Sequence, residues 1–277
     1  MYYSYLIIDT GGNPDRPRPG RNWIKDVYAV HRRLCMGFPS DQKRQSDPQF
    51  LDEFDMVGFT SNSRRPDLHN DTPRGKSNRP NFLFRIENTI RGNETQAAIV
   101  VRSEKPPDWE YAFCNARTLL ANVPIMEPRV YNPEFRVGQK LQYRIRMNLS
   151  KKSKLVAAEN GEKNELSKPK RMAFTWEPDR SRDEQIQDWF VMKTAGKGLN
   201  VLSCEVEQIG WVRGWKPEAR QKVNGNFEKH RHRLQYRSAM LNGTLEVTNP
   251  EEFHTALTAG IGSAKAFGFG LLSVREV

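Results

Sequence analysis

The chain has 277 residues, enough for one large domain or two of ordinary size. Hydrophobic residues make up 37% and charged residues 28%, which excludes wholesale disorder. The formal net charge is +11, and residues 133–277 hold most of it, with 25 Lys and Arg against 17 Asp and Glu; such a balance favours a polyanionic partner, because each phosphate contact releases condensed counterions.

No run of about 18 apolar residues is present, so no membrane span is expected. Met1 to Asp9 has neither a basic leader nor a cleavage site and does not read as a signal peptide, and a cytoplasmic location is expected. Cys35, Cys114 and Cys204 stand far apart without CxxC spacing, and His230 and His232 lack a Cys or carboxylate cluster to join. No metal and no cofactor are therefore expected.

In chain order, Tyr2 to Ile8 is apolar and aromatic and predicts a strand. Thr10 to Arg21 is rich in Gly and Pro and predicts a loop. A helix is expected over Asn22 to Phe38, with Val27, Val30, Leu34 and Phe38 as its buried stripe and Pro39 as its stop. Residues 40–80 are polar and turn-rich and read as a surface insertion, with Phe54, Met56, Val57 and Phe59 docking locally. Strands follow at Phe82 to Glu87 and Ala97 to Val101, then a helical or irregular piece at Tyr111 to Leu120. The three prolines between Pro124 and Pro133 suggest a linker, which divides the chain into domains 1–132 and 133–277.

The second half opens with a strand, Lys140 to Met147, and a basic loop carrying Lys151, Lys152 and Lys154. A helix covers Arg182 to Thr194 with Ile186, Phe190 and Val191 on its buried side, and a strand runs from Val201 to Trp211. Asn224-Gly225 marks a hairpin turn. Strand Ser238 to Val247 leads into Asn249-Pro250, a helix start with a capping Asn and Pro at the first position. The last strand is Gly270 to Val274. Each half thus reads strand, helix, strands, helix, strand: an α+β fold of two tandem ferredoxin-like (RRM-like) domains.

Three constellations carry chemistry. The glycine-rich tail places Gly260, Gly262, Gly268 and Gly270 around Lys265. It reads either as a helix C-cap with a tight turn or as a phosphate-contacting loop, and the density of glycine around one lysine favours the second. Tyr28 and His31 lie three apart on the first helix, at the edge of its core stripe, with Arg32 and Cys35 beside them. They are either a surface His beside a partly buried Tyr or an acid–base pair. The third is basic: Arg144, Arg146, Lys151, Lys152 and Lys154 in one stretch, and Lys229, Arg231 and Arg233 on one face of the hairpin, with His230 and His232 opposite. Such a hairpin either contacts RNA or guards a sheet edge against aggregation.

Together these pieces resemble one family. Gly260 to Leu272 matches the G-h-G-x-x-K-x-x-G-x-G-L-L loop of the RAMP-type CRISPR RNA-processing proteins. Asp26 to Leu34 looks like the helix bearing the catalytic pair in the CasE branch, the pre-crRNA endoribonuclease of type I-E Cascade, and Leu141 to Asn148, Phe82 to Glu87 and Pro107-Asp108-Trp109 are similar to further segments. The resemblance implies metal-independent cleavage of CRISPR repeat RNA at the base of its stem-loop. In that chemistry the 2′-hydroxyl attacks and a 2′,3′-cyclic phosphate is left. It implies His31 as general base or acid and Tyr28 as its helper. It also implies that the Lys265 loop supports RNA binding and the fold, that one of Lys229, Arg231 and Arg233 steadies the scissile phosphate, and that other Cascade subunits are partners; Arg32 and the basic residues of 144–154 are further expected RNA contacts. The competing readings are a non-catalytic RNA-binding subunit on the same fold and a basic scaffold of a ribonucleoprotein.

Overall fold

Alternating side chains in Tyr2–Ile8 build strand β1, with Leu6 and Ile8 facing a core and Tyr5 facing out. In this computed structural model the described residues are 1–11, 19–50, 81–91, 94–121, 125–157, 163–217, 221–223, 226–228 and 231–277; within 89–96, 153–170 and 217–232 the backbone alone is described. β1 pairs antiparallel with β3 (Glu94–Ser103), and β3 with β2 (Phe82–Arg91). The register sets Leu6 beside Ile99 and Ile99 beside Ile86, one apolar row across three strands. β4 (Arg129–Val130) completes the order β2-β3-β1-β4. It falls inside the expected linker, because two residues near prolines are too few to show an alternation.

The helix expected over 22–38 is two. α1 covers Pro19–Trp23 and α2 covers Val27–Cys35. Asp26 separates them: its carboxylate accepts from Tyr28 N–H and Ala29 N–H, so α2 starts anew after a turn. The insertion also begins as structure. α3 (Asp41–Ser46) is capped by Ser40, and a buried Lys43–Asp47 pair at 2.8 Å lies near it. Tyr111 Oη donates to the Asp47 carbonyl at 2.8 Å, tying this segment to α4 (Trp109–Phe113). Phe54, Met56, Val57 and Phe59 lie outside the described residues.

The second half repeats the plan. β5 (Lys140–Asn148) buries Leu141, Tyr143, Ile145 and Met147 and turns Gln142, Arg144 and Arg146 to the other face. The expected basic loop is strand β6 (Ser150–Ala157), paired with β7 (Lys163–Ala173) from Ser150↔Ala173 onward. Charge alone does not prevent pairing, since in this two-stranded sheet the consecutive Lys151 and Lys152 are both exposed to water. α5 (Arg182–Thr194) starts at its Ser181 cap and buries Ile186, Trp189 and Phe190, but Val191 is exposed. Strands β8 (Leu199–Val201), β9 (Glu205–Pro217), β10 (Gln221–Val223), β11 (Asn226–Glu228) and β12 (Arg231–Val247) follow. Val223 pairs with Asn226 across the predicted Asn224-Gly225 turn, whose own residues lie outside the described set. α6 (Pro250–Ala259) is capped by Asn249, and β13 (Ser273–Glu276) ends the chain. The sheet order β13-β5-β12-β8 is the same fourth-first-third-second arrangement as in the first half, so the fold is α+β with two ferredoxin-like domains.

By contact the chain forms two units. One is Met1–Pro133 with Arg213–Leu234 and Lys265–Gly268; the other is Glu134–Val212 with Gln235–Ala264 and Phe269–Val277. No helix among the described residues is long and apolar enough to cross a membrane.

Candidate active site

α2 carries the Tyr28 and His31 pair, and in the first unit both side chains are drawn inward. Tyr28 is buried in the core beside Val27 and Val30, where the sequence pattern had placed it at the helix edge. The stripe is wider than expected because Phe267, from the Lys265–Phe267 turn, stacks on Tyr28 at 6.4 Å between ring centroids. The imidazole of His31 lies parallel to Phe82 at 5.6 Å and Phe84 at 6.5 Å, and edge-on to Phe267 at 6.0 Å. Its Nε2 is 3.6 Å from the Cys35 thiol, one turn along the helix. Its Nδ1 is buried with no hydrogen-bond partner.

An imidazole among aromatic rings has little to solvate its charged form. Burial lowers the His31 pKa from its ordinary 6.5 to about 4, so the ring is neutral near pH 7. Burial also raises the Tyr28 pKa, partly offset by the nearby Arg32 guanidinium, so the phenol keeps its proton. The pair is therefore an uncharged acceptor and an uncharged donor on one helix face. Phe82, Phe84 and Phe267 are the residues that sequence reasoning missed. Strand alternation placed Phe82 and Phe84 on one face, but nothing local aims Phe267 at α2.

Arg33 is a strut: its guanidinium donates to the Ala112 carbonyl at 2.9 Å and to Asn115 Oδ1 at 2.8 Å. Arg32 and Lys265 are half-buried in the same unit as His31. Gly268 has φ of +82°, and a Cβ there would stand 3.2 Å from the Phe84 ring, so glycine lets the Phe267 turn settle on that ring.

The other glycines belong to the second unit and serve its backbone. Gly260 caps α6 with φ of 74°, its N–H bonded to the Ala256 carbonyl. The Gly270 N–H donates to the Arg146 carbonyl, and a Cβ there would meet the Ile261 carbonyl oxygen at 2.5 Å. Gly262 is exposed, with Met147 3.0 Å from where its Cβ would be. The amides of Gly260 and Gly270 are thus committed to the fold.

The basic residues divide. Arg144 is engaged by Glu207 and by Asn242 Oδ1 at 2.8 Å. Arg146 shares its strand face, half-buried. Lys151 and Lys152 are exposed, with Lys151 Nζ donating to Thr175 Oγ1 at 2.9 Å. In the first unit the Arg233 guanidinium lies 5.9 Å over the half-exposed Trp215 ring. Lys229 and the side chains of Lys154 and Arg231 lie outside the described residues. Among the described residues, no three His, Cys, Asp or Glu side chains gather as a metal site.

Comparison with known proteins agrees in fold and points to a family. The chain is 28% identical over 199 residues to the CRISPR-associated endoribonuclease Cse3 of Thermus thermophilus, covering 71% of this chain and 80% of the relative. A structure of Thermus thermophilus Cse3 bound to an RNA representing a pre-cleavage complex superposes with a TM-score of 0.58 at 20% identity, over 99% of this chain and 98% of the other. A chain of a CRISPR RNA-guided surveillance complex, pre-nicking, gives 0.53 at 18% identity, each chain being covered in full. The family described as CRISPR associated protein matches residues 1–276, and the chain belongs to that family.

Proposed function

We propose that this chain is a metal-independent endoribonuclease that cuts CRISPR repeat RNA at the base of its stem-loop and remains with the product as a Cascade subunit in the cytoplasm. The observation that carries the reading is the His31 pocket: a neutral imidazole with an unpartnered buried Nδ1, set one turn from a protonated Tyr28. The endoribonuclease relative, matched over most of the chain, supports the same reading.

In this scheme His31 is the general base. It takes the proton of the 2′-hydroxyl as that oxygen bonds to phosphorus. The bond from phosphorus to the 5′-oxygen breaks, that oxygen takes the proton back from the His31 imidazolium as it leaves, and a 2′,3′-cyclic phosphate remains. Tyr28 donates a hydrogen bond to a phosphate oxygen as charge builds there. The pocket must open for RNA to reach Nδ1. Arg32, Lys265 and Arg233 hold phosphates near α2, while Lys151, Lys152, Lys154, Arg146, Lys229 and Arg231 extend the cationic surface. Arg144, already neutralised by Glu207, adds least.

Labelled repeat RNA is incubated with the protein in EDTA, beside a His31→Ala variant. A single cut by wild type, slowed roughly 10²–10⁴-fold in the variant with binding retained, is the expected result. Equal cutting by both proteins would remove His31 from the chemistry. Tight binding with no cut by either would leave a non-catalytic RNA-binding subunit.

A further inference from the structure

The hairpin and the helix of Tyr28 and His31 meet at one carboxylate. Asp26 Oδ1 accepts three N–H groups: Tyr28 at 3.0 Å, Ala29 at 3.3 Å and Trp215 at 3.1 Å. The first two form the first turn of α2, and the third is the backbone of β9, within the same compact unit. The preceding residue, Gly214, is buried against the same turn. A Cβ there would stand 3.1 Å from Tyr28 N and Val27 Cγ1 and 3.2 Å from Asp26 Oδ1. Strand and helix end thus approach so closely that a side chain at 214 would press on the first turn of α2 unless it gave by a few tenths of an ångström.

The point of attachment is also where the hairpin presents a ring and a cation. Trp215 is 44% exposed and Arg233 lies over it, a pairing suited to stacking on a base while contacting phosphate. A force applied there passes to α2 through the Trp215 amide and Asp26. α2 has no other side-chain cap among its described contacts, and Tyr28 follows the cap by two residues. A shift of the helix start therefore moves the Tyr28 hydroxyl and the His31 ring together. Misplacement of about 1 Å costs an enzyme roughly 10²-fold in rate.

We infer that Asp26 is a positioning residue of the cleavage reaction: it registers the basic hairpin against the start of α2, so that RNA held by the hairpin meets Tyr28 and His31 in reacting geometry. The inference rests on the endoribonuclease reading given above. It assigns Asp26 no contact with RNA. Asparagine, whose Oδ1 also accepts N–H groups and caps helices well, should replace it.

The test is single-turnover cleavage of repeat RNA at saturating protein, with RNA affinity measured alongside. Asp26→Ala is expected to slow cleavage roughly tenfold to a hundredfold while the dissociation constant stays within about threefold. Asp26→Asn should restore the rate to within about threefold of wild type. Gly214→Ala keeps the carboxylate but crowds the strand against the helix start at 3.1 Å, and should slow cleavage by less than Asp26→Ala does. Ser181→Ala removes an equivalent cap from α5, where Ser181 Oγ accepts from Glu184 N–H at 3.1 Å, and should leave the rate unchanged. The inference is overturned if Asp26→Ala cuts at the wild-type rate, if Asn fails to rescue, or if Ser181→Ala is as slow as Asp26→Ala. A wild-type protein that does not cut overturns the endoribonuclease reading itself, a result separate from all of these.

Discussion

His31 and Arg144 represent two ways a polar group can sit in this molecule. His31 lies in an aromatic pocket of the first unit, its Nδ1 buried and unpartnered. Arg144 lies on the half-open face of β5 in the second unit, its guanidinium engaged by Glu207 and Asn242. Composition ranks them the other way: charge draws attention to the arginine, and a histidine on an apolar stripe looks like filler. The contrast teaches that reactivity follows unmet bonding capacity in a dry place, while a cation whose carboxylate is already beside it has little left for a phosphate.

The contrast can be broken first through acid stability. His31 binds a proton below about 4 when folded and near 6.5 when unfolded, so the unfolded chain holds more protons between those values. Its contribution to stability is present above 6.5 and is lost as pH falls toward 4. Melting temperatures measured across that window should fall steeply for wild type and much less for His31→Phe, which keeps the aromatic packing but cannot titrate. Equal slopes would mean that the pocket does not exclude the charged imidazole.

A smaller effect is expected from opening the pocket. Phe267→Ala removes the ring that covers both Tyr28 and His31. Water then reaches the imidazole, and its pKa, followed by NMR titration, should rise by about one unit or more toward the ordinary value. An unchanged value would assign the shift to Phe82 and Phe84 alone.

The smallest effect sharpens the other side of the comparison. Glu207→Gln frees Arg144 from its carboxylate, and the slope of log affinity for RNA against log salt should steepen by about one. Arg144→Ala should change that slope by much less, and each should cost about 1 kcal/mol of stability or less, as expected for a partly exposed pair. If Arg144→Ala flattens the slope by a full unit, the arginine contacts phosphate despite Glu207.

Much of this was legible in local sequence. Asn249-Pro250 starts α6, because capping depends on a side chain and the backbone two or three residues on. The apolar and aromatic run from Tyr2 to Ile8 gave one strand, Lys140 to Met147 was read as another, and the order of elements gave two ferredoxin-like halves. Spacing alone placed Tyr28 and His31 on one helix face. The two-residue β4 was illegible because no period fits in two residues, and Lys151 and Lys152 misled because a paired strand can be as basic as a loop.

What the tertiary structure decided is which groups lose their water. Phe267 closes over His31 from a distant part of the chain, Trp215 donates its amide to Asp26, and Glu207 neutralises Arg144. Each is a contact between segments far apart in sequence. Desolvation and pairing energies depend on such contacts, whereas backbone propensity depends on neighbours along the chain. The sequence by itself therefore determined most of the longer strands and helices, their order and the placing of Tyr28 and His31 on one helix face; folding determined that His31 is neutral, that Asp26 joins the hairpin to its helix, and that Arg144 is already partnered.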